Sequence, residues 1–365
     1  MRQVVITGIG AITPIGTSAA QFARALKVGT VGLSDVSRFS EDDYILPKRA
    51  FQIRDFKPLH RTKSLDPFIQ YILHAADDAF TDSRLDLEQI NKERLAIAVS
   101  SSKGGMMTFE KYFERFRARP SAILGARVYS NFIPNIAAQW IARHLKIWGP
   151  AKPSVAACAT GLFALMQGIR MIEQDEADYC IAGAGDASIT RLMTAGYRKM
   201  GVLAENEMRP FDARRDGFLL GEGAGIVILE HLDSAKARNA KIYGRVVGHA
   251  YGFEVSHPYA FSPDGEGLSR CLTNLIQKAN VKARDIDYVN LHGTATKQGD
   301  VYETRQIKKA FGKDAAHISM SSTKSLVGHM LGASGAVEAI ACLMAMAGNF
   351  VPPTAGLEQK DPECD

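Results

Sequence analysis

The chain has 365 residues, 46% of them hydrophobic and 23% charged, which is enough to bury the core of one large domain or of two domains. The net charge of +5 is mild, and basic residues alternate with acidic ones. An acidic protein partner would suit this charge, but no nucleic-acid motif is present and we expect no nucleic-acid partner. Five scattered cysteines without a C-x-x-C motif predict neither a disulfide framework nor a structural zinc site, and they favour a reducing cytoplasm.

The N-terminal residues have the pattern of a buried strand, without the apolar segment and cleavage site of a signal peptide. No apolar run long enough to span a membrane is apparent, so we expect no membrane association. The strand at residues 4–10 ends in a glycine turn, which invites a dinucleotide-binding hypothesis. The third glycine of the G-x-G-x-x-G fingerprint is replaced by Thr13, which argues against such a site.

The next elements follow from hydrophobic periodicity. The apolar run at residues 94–100 predicts a strand that is buried on both faces and ends in a turn of small residues. Residues 29–58 have the pattern of irregular surface chain. We predict helices over residues 17–28, 66–80, 109–119 and 133–145.

Residues 153–166 form the stretch around which the chain is organised. A short strand-like run is followed by small residues, then by Cys158, then by an apolar segment with helical period. A cysteine at the N-terminus of a helix is shifted toward the nucleophilic thiolate, because free N–H groups and the helix dipole favour an anion there. These residues alone are equally compatible with a buried structural cysteine.

The second part of the chain repeats this order of elements. Residues 287–292 resemble the strand residues 178–183, and residues 317–324 with the small-residue helix at 332–340 resemble 154–172. Another strand is predicted at 223–230. The repetition predicts a duplicated α/β fold in which the ends of matching strands meet at one site. We predict an N-terminal half at residues 1–240 and a C-terminal half at 241–365, joined by the charged stretch near 232–245.

Two histidines occupy positions comparable to that of Cys158. His292 ends a strand and enters a turn rich in hydroxyls, and His329 lies among glycines. One soft nucleophile and two imidazoles suit acyl thioester chemistry. The cysteine can take an acyl group, and two N–H donors can stabilise the enolate that forms when a second thioester loses CO2. A hydrolase would need one histidine with an orienting carboxylate, and spacing alone leaves that alternative open.

Several motifs together resemble the elongating β-ketoacyl-acyl carrier protein synthases of the thiolase-like superfamily, over essentially the whole chain. These motifs are the V-V-I-T-G-I-G start, A-C-A-T-G around Cys158, residues 209–218 with 221–225, residues 292–296 with Gly299, Asp300 and Glu303, and residues 322–335. The resemblance implies a five-layer αβαβα fold built from two duplicated halves. It also implies decarboxylative Claisen condensation between an acyl-Cys enzyme and malonyl-acyl carrier protein, in fatty acid or polyketide biosynthesis.

The resemblance also implies roles for individual residues. Cys158 is the nucleophile, His292 and His329 are the condensation histidines, and Lys324 supports them while paired with Glu338. The resemblance also implies supporting roles for Asp300 and Glu303 and contacts with the pantetheine arm at Thr294 and Thr296. It implies that the acyl carrier protein docks at Arg61, Lys63, Arg198 and Lys199. It implies an acyl pocket near the dimer interface at Asn135, Gln139 and Trp140. A further pantetheine-contacting threonine of the family would fall near Phe261 and Ser262, so that contact is altered.

The implied partners are an acyl carrier protein, which brings its own phosphopantetheine, and a second subunit in a homodimer or a heterodimer with a related ketosynthase or chain-length subunit. No bound cofactor and no metal are expected. A non-condensing chain-length subunit and an acyltransferase or thioesterase acting through the same cysteine remain alternatives. The family's C-terminal Gly-Phe-Gly-Gly turn is absent from this sequence. The expectation is therefore a truncated product or a natural short form without the last strands.

Overall fold

The structure is a computed structural model that describes residues 2–38, 48–60, 62–120, 125, 126, 128–254 and 265–365. Two hypotheses from the sequence lie outside these residues. They are the docking role of Arg61 and the altered pantetheine contact at Phe261 and Ser262.

The described residues form nine strands and twelve α-helices. The strands are β1 (Val4–Ile12), β2 (Ser34–Asp35), β3 (Arg49–Ala50), β4 (Leu95–Ser100), β5 (Tyr179–Asp186), β6 (Gly223–His231), β7 (Gly244–Val246), β8 (Tyr288–Asn290) and β9 (Ser319–Ser321). The helices are α1 (Ala19–Val28), α2 (Pro67–Ser83), α3 (Met106–Ala118), α4 (Tyr129–Phe132), α5 (Ile136–Leu145), α6 (Thr160–Glu173), α7 (Arg191–Lys199), α8 (Leu232–Ala237), α9 (Gly267–Ala279), α10 (Lys297–Phe311), α11 (Lys324–Val327) and α12 (Ser334–Gly348).

The first sheet has the strand order β4-β5-β6-β1-β7. β4 and β5 are parallel, and the other pairs are antiparallel. Every residue of β1 and β4 is buried, as expected for strands covered on both faces. Helices α2 and α5 pack on one face of this sheet. The hydrophobic cluster between these helices and the sheet includes Phe68, Ile72 and Ile141. Asp66 caps α2 by accepting the Phe68 N–H at 3.2 Å, and Pro67 follows in the first turn, where a missing N–H costs nothing.

The other face of this sheet is covered by the two central helices, α6 and α12. They form one core cluster with β1 and β6, including Ile169, Val227 and Ile340. Beyond them lies the pair of parallel strands β8 and β9, and beyond those the helices α9 and α10. Helix, sheet, helix, sheet and helix layers therefore follow one another, and the predicted α/β five-layer fold is confirmed.

Three local expectations are corrected. Residues 153–156 form no strand, because the chain pairs with β4 only through the bridge between Ala151 and Ile97. Part of the predicted surface chain is core: Phe51 is 1% exposed, and its N–H bonds to the Leu220 carbonyl at 2.9 Å. The window Leu331–Gly348 does reach the length and mean hydropathy of a membrane span, but 61% of it is buried between the sheets of the fold.

Candidate active site

A strained turn presents Cys158. Ala157 has a φ of 46°, in the left-handed region that costs a non-glycine residue about 1 kcal/mol or more. A short 3₁₀ turn, Ala157–Ala159, follows and leads into α6. The Thr160 hydroxyl fixes this turn, since it accepts from the Ala156 N–H at 3.0 Å and donates to the Ala157 carbonyl at 2.7 Å. The chain thus reverses sharply and holds the thiol at the N-terminal end of a buried helix.

The second half contains the same arrangement. Leu331 has a φ of 48°, the turn Leu331–Ala333 follows, and α12 begins at Ser334. The position that corresponds to Cys158 is Gly332. The duplication therefore extends to backbone conformation, although only one half carries a nucleophile.

His329 is the histidine in contact with the thiol. Its Nε2 lies 3.2 Å from Cys158 Sγ, and its Nδ1 lies 3.2 Å from Ser334 Oγ. The ring stands edge-on to Phe218, with centroids 5.0 Å apart. The His329 backbone N–H also bonds to the Leu219 carbonyl at 2.9 Å. These contacts fix the ring so that one nitrogen faces the sulfur.

His292 lies beside His329, with ring centroids 5.5 Å apart and the rings nearly perpendicular at 87°. The Glu303 carboxylate anchors its loop by accepting the His292 N–H at 2.6 Å and the Gly293 N–H at 2.7 Å. The His292 residue is exposed to solvent, whereas His329 is only 2% exposed. His329 therefore contacts the sulfur, and His292 contacts His329 from a more exposed position.

Lys324 is 1% exposed and is paired with the Glu338 carboxylate. Burial, followed by the Lys324 charge, holds the pKa of His329 well below its usual value. Burial and the Lys324 charge also lower the pKa of His292. Because the His292 residue is exposed, solvent weakens this effect. Both rings are therefore neutral near pH 7, and each has one N–H to donate.

The pKa of the Cys158 thiol shifts in the direction opposite to the one that the sequence predicts. The helix N-terminus predicts a lowered pKa for Cys158, but burial raises its pKa, and the charges of Lys324 and Lys103 only partly oppose that rise. The balance between burial and nearby cations therefore decides how much thiolate is present.

A second buried carboxyl organises the loop that follows His292. Asp300 accepts the Phe211 N–H at 2.7 Å, and burial raises its pKa to about 7. The nearby Arg215 guanidinium donates to the carbonyls of Thr296 at 3.3 Å and Lys297 at 2.9 Å. This network positions the backbone from which α10 begins.

Thr294 and Thr296 lie together in that loop, with hydroxyl oxygens 3.0 Å apart. Thr294 is buried and Thr296 is half-buried. Their hydroxyls thus form a small polar pair that follows directly on His292.

The remaining predicted residues lie on the surface. Lys63, Arg198 and Lys199 are exposed. Asn135, directly before α5, and Gln139, on α5, are exposed, and the half-buried Trp140 donates its indole N–H to the Ser130 carbonyl at 3.0 Å. An acyl pocket at these positions requires a second chain to cover them.

Sequence reasoning missed Asp186, which ends β5 and is 0% exposed. It accepts from Ser101 Oγ at 2.5 Å, Ser102 Oγ at 2.8 Å and the Gly332 N–H at 2.7 Å. Asp186 thereby joins the turn after β4 to the segment that follows His329. The sequence did carry a signal for this residue, since Asp186 is an acidic residue at the end of a buried apolar strand.

Two duplicated α/β halves that bring a cysteine and two histidines together define a condensing enzyme of the thiolase-like class. Two family models match the chain, "Beta-ketoacyl synthase, N-terminal domain" over residues 1–235 and "Beta-ketoacyl synthase, C-terminal domain" over residues 243–358. The chain belongs to the β-ketoacyl synthase family, as the motifs predict.

Curated relatives agree with this assignment. A 3-oxoacyl-[acyl-carrier-protein] synthase 2 from Synechocystis sp. is 37% identical, in an alignment that covers 100% of this chain and 90% of the relative. The protein of the same name from Coxiella burnetii is 35% identical with the same coverage.

Solved structures are similar over the whole chain. The ishigamide ketosynthase/chain length factor has a TM-score of 0.92 at 31% identity, covering 100% of this chain and 90% of that one. A type II PKS acyl-carrier protein in complex with its ketosynthase bound to the hexaketide has a TM-score of 0.92 at 28% identity, covering 100% and 91%.

Proposed function

We propose that the protein catalyses decarboxylative Claisen condensation of an acyl-Cys158 intermediate with a malonyl-acyl carrier protein. The observation that carries this proposal is the 3.2 Å contact between Cys158 Sγ and His329 Nε2, with His292 at 5.5 Å between ring centroids. A hydrolase is disfavoured, because His329 bonds to the Ser334 hydroxyl rather than to an orienting carboxylate.

The first step is acyl transfer. The Cys158 thiolate attacks the carbonyl carbon of an acyl-carrier thioester, and a new carbon–sulfur bond forms. The carbon–sulfur bond to the carrier's phosphopantetheine breaks, and that sulfur leaves with the electron pair and takes a proton from water. The acyl group is then held on the enzyme, and the carrier can be exchanged.

The second step forms the carbon–carbon bond. The malonyl carboxylate leaves as CO2, and the electron pair remains on the thioester as an enolate. The N–H groups of His292 and His329 stabilise the enolate oxygen. The enolate carbon attacks the acyl-Cys158 carbonyl, and the Cys158 sulfur leaves as a thiolate, so β-ketoacyl-carrier protein is released and the enzyme is regenerated.

Neutral histidines suit this step. An imidazolium would donate more strongly, but it would also pair with the malonyl carboxylate and hold it in place. The buried Lys324, which pairs with Glu338, supports the neutral state of both histidines, since its ammonium charge opposes their protonation. Lys324 therefore acts through the histidines and Glu303 through the His292 loop.

Further roles complete the proposal. The Thr294 and Thr296 hydroxyls bind the pantetheine arm, and the exposed cations Lys63, Arg198 and Lys199 dock the acidic carrier. The enzyme works in the cytoplasm, in keeping with its five free cysteines. Residues 1–240 carry the nucleophile and 241–365 carry both histidines.

A dimer completes the acyl pocket. Val155 and Leu162 flank the Cys158 turn and are 57% and 53% exposed in the isolated chain. Apolar side chains beside a nucleophile are expected to be covered by a second subunit or by the acyl chain. The second subunit is another copy of this chain or a related chain-length subunit.

Intact-protein mass spectrometry with a panel of acyl-carrier proteins tests this function. We expect a mass gain of one acyl group, no gain in Cys158→Ala, and release of CO2 and β-ketoacyl-carrier protein when malonyl-carrier protein is added. His292→Ala should still be acylated but should not condense. Acylation that is followed by acyl release to water, without CO2 formation, would contradict the proposal.

A further inference from the structure

The hydroxyl of Ser334 contacts the second ring nitrogen of His329. Ser334 Oγ lies 3.2 Å from His329 Nδ1, while His329 Nε2 lies 3.2 Å from Cys158 Sγ. Ser334 and His329 are both only 2% exposed. Among the described residues, Ser334 is the only hydrogen-bond partner of this Nδ1. The family motifs assign no role to this serine, although it is bonded to the histidine that touches the nucleophile.

Contacts on both sides hold Ser334 in place. Two residues before it, the Gly332 N–H donates to Asp186 Oδ2 at 2.7 Å. The residue after it, Gly335, packs so closely that an added Cβ would lie 2.7 Å from Leu162 Cγ on α6. The start of α12 is therefore fixed against its surroundings, and the hydroxyl stays beside the His329 ring.

The contact between Ser334 and His329 can have either of two directions. A hydroxyl both donates and accepts, whereas a neutral imidazole has one N–H. Burial and the Lys324 charge hold the pKa of His329 well below its usual value, so the ring is neutral near pH 7. If the hydroxyl donates to Nδ1, the ring proton is on Nε2. If Nδ1 donates to the hydroxyl, Nε2 has only a lone pair.

The place of Ser334 in α12 favours donation by the hydroxyl. Ser334 is the first residue of a 15-residue helix, and the free N–H groups and the dipole of a helix make its N-terminal end positive. The N-cap residue, Ala333, has no polar side chain that would offset this potential. A positive potential stabilises the lone pair of Nδ1 and opposes an N–H group there, because the hydrogen carries a positive partial charge. The proton of the neutral ring therefore belongs on Nε2.

We propose that Ser334 is a positioning residue, whose hydroxyl donates a hydrogen bond to His329 Nδ1 and so keeps the Nε2–H of His329 as a donor to the enolate oxygen. No proton is transferred in this contact, and Ser334 does not touch the substrate. The inference rests on the proposed function in taking the enolate as the group that Nε2–H binds. The direction of the hydrogen bond does not depend on it.

Neutron diffraction from crystals grown in D2O would locate this proton. Cys158 is first capped with methyl methanethiosulfonate, so that its sulfur carries no hydrogen, as in the acyl-enzyme. We expect deuterium on His329 Nε2, with the O–D bond of Ser334 directed at Nδ1. Deuterium on Nδ1, alone or together with Nε2, would overturn the proposal. Release of CO2 from malonyl-carrier protein would still report, independently, whether the protein condenses.

Ser334→Ala tests the same contact in the reaction. Loss of one hydrogen bond should slow condensation by about 3–10-fold, without a change in acyl loading of Cys158 or in KM for malonyl-carrier protein. A merely structural role would lower loading and condensation together. Wild-type condensation in Ser334→Ala, or a parallel loss of loading, would therefore overturn the proposal. If this variant does not fold, the neutron result decides alone.

Ser83→Ala is the matched control for the loss of a buried hydroxyl. Ser83 is also 2% exposed, and its hydroxyl donates to the Phe80 carbonyl at 2.8 Å at the end of α2. Its removal should leave both acyl loading and condensation at the wild-type rates. A loss in Ser83→Ala as large as that in Ser334→Ala would count against the proposal, because any buried hydroxyl would then have the same effect.

Discussion

Gly161 and Gly335 form reciprocal contacts at the starts of the two central helices. A Cβ on Gly161 would lie 2.5 Å from the Ala336 nitrogen, and a Cβ on Gly335 would lie 2.7 Å from Leu162 Cγ. A Cβ on Gly161 thus meets the residue after Gly335, and a Cβ on Gly335 meets the residue after Gly161. These contacts pack the start of the helix that follows Cys158 against the start of the helix that follows His329.

Gly161→Ala should therefore destabilise the protein. The added methyl group meets backbone atoms, which cannot rotate away, and overpacking of this kind costs about 1–3 kcal/mol. Chemical denaturation at several protein concentrations would measure the loss and separate it from any dimer dissociation. Gly196→Ala is the matched control, since nothing lies within 4 Å of its added Cβ and alanine favours a helix. Equal stability of the two variants would show that the helix starts are not tightly packed.

The duplicated α/β order of elements and the acyl thioester hypothesis follow from local patterns in the sequence, whereas the five-layer arrangement is implied by the family resemblance. The run of apolar residues in β4, the helical period after Cys158 and the repeated order of elements are all visible without a structure. The hypothesis that Cys158, His292 and His329 act together follows from unusual residues at predicted strand-end or turn positions. The structure brings these three side chains together.

Other features depend on distant contacts and could not be predicted. Asp186 binds Ser102, 84 residues away in sequence, and Gly332, 146 residues away. The direction of the Cys158 pKa shift also differs from the local argument, because burial raises this pKa and the nearby cations only partly oppose the rise. Phe51 becomes core through a backbone bond to Leu220, which no periodicity indicates.

Glu303→Gln should impair condensation more than acylation. The Glu303 carboxylate accepts two backbone N–H groups, from His292 and Gly293. Glutamine has one acceptor and one donor, so one buried N–H loses its partner and the His292 loop shifts. We expect condensation to fall by about 10–100-fold, as for other residues that orient a functional group, while acyl loading of Cys158 changes little.

Separate assays of the two steps would check this expectation. Intact mass after incubation with acyl-carrier protein reports loading, and CO2 release from malonyl-carrier protein reports condensation. Glu363→Gln, an exposed carboxylate that pairs with Arg305, is the control and should leave both steps unchanged. Parallel loss of loading and condensation in Glu303→Gln would mean that the residue supports the whole site rather than the His292 loop.

His329 should make stability depend on pH. Burial and the Lys324 charge hold its pKa well below its usual value of about 6.5. As pH falls below about 6.5, the unfolded chain therefore takes up a proton that the folded protein does not, and the folded state loses stability. The slope for one such group approaches about 1.4 kcal/mol per pH unit.

Unfolding free energies of the wild type and His329→Asn between pH 5 and 8 would show this effect as a difference that shrinks toward low pH. His144 provides a control of opposite sign. Its contact with Asp77 at 2.7 Å raises its pKa, so its contribution to stability is present at low pH and is lost as pH rises through that value. His144→Asn should therefore differ from the wild type most at low pH, by a small amount because the pair is partly exposed. If the difference between wild type and His329→Asn is independent of pH, the pKa of His329 is the same in the folded and the unfolded protein, and the argument that burial and Lys324 lower it would have to be abandoned.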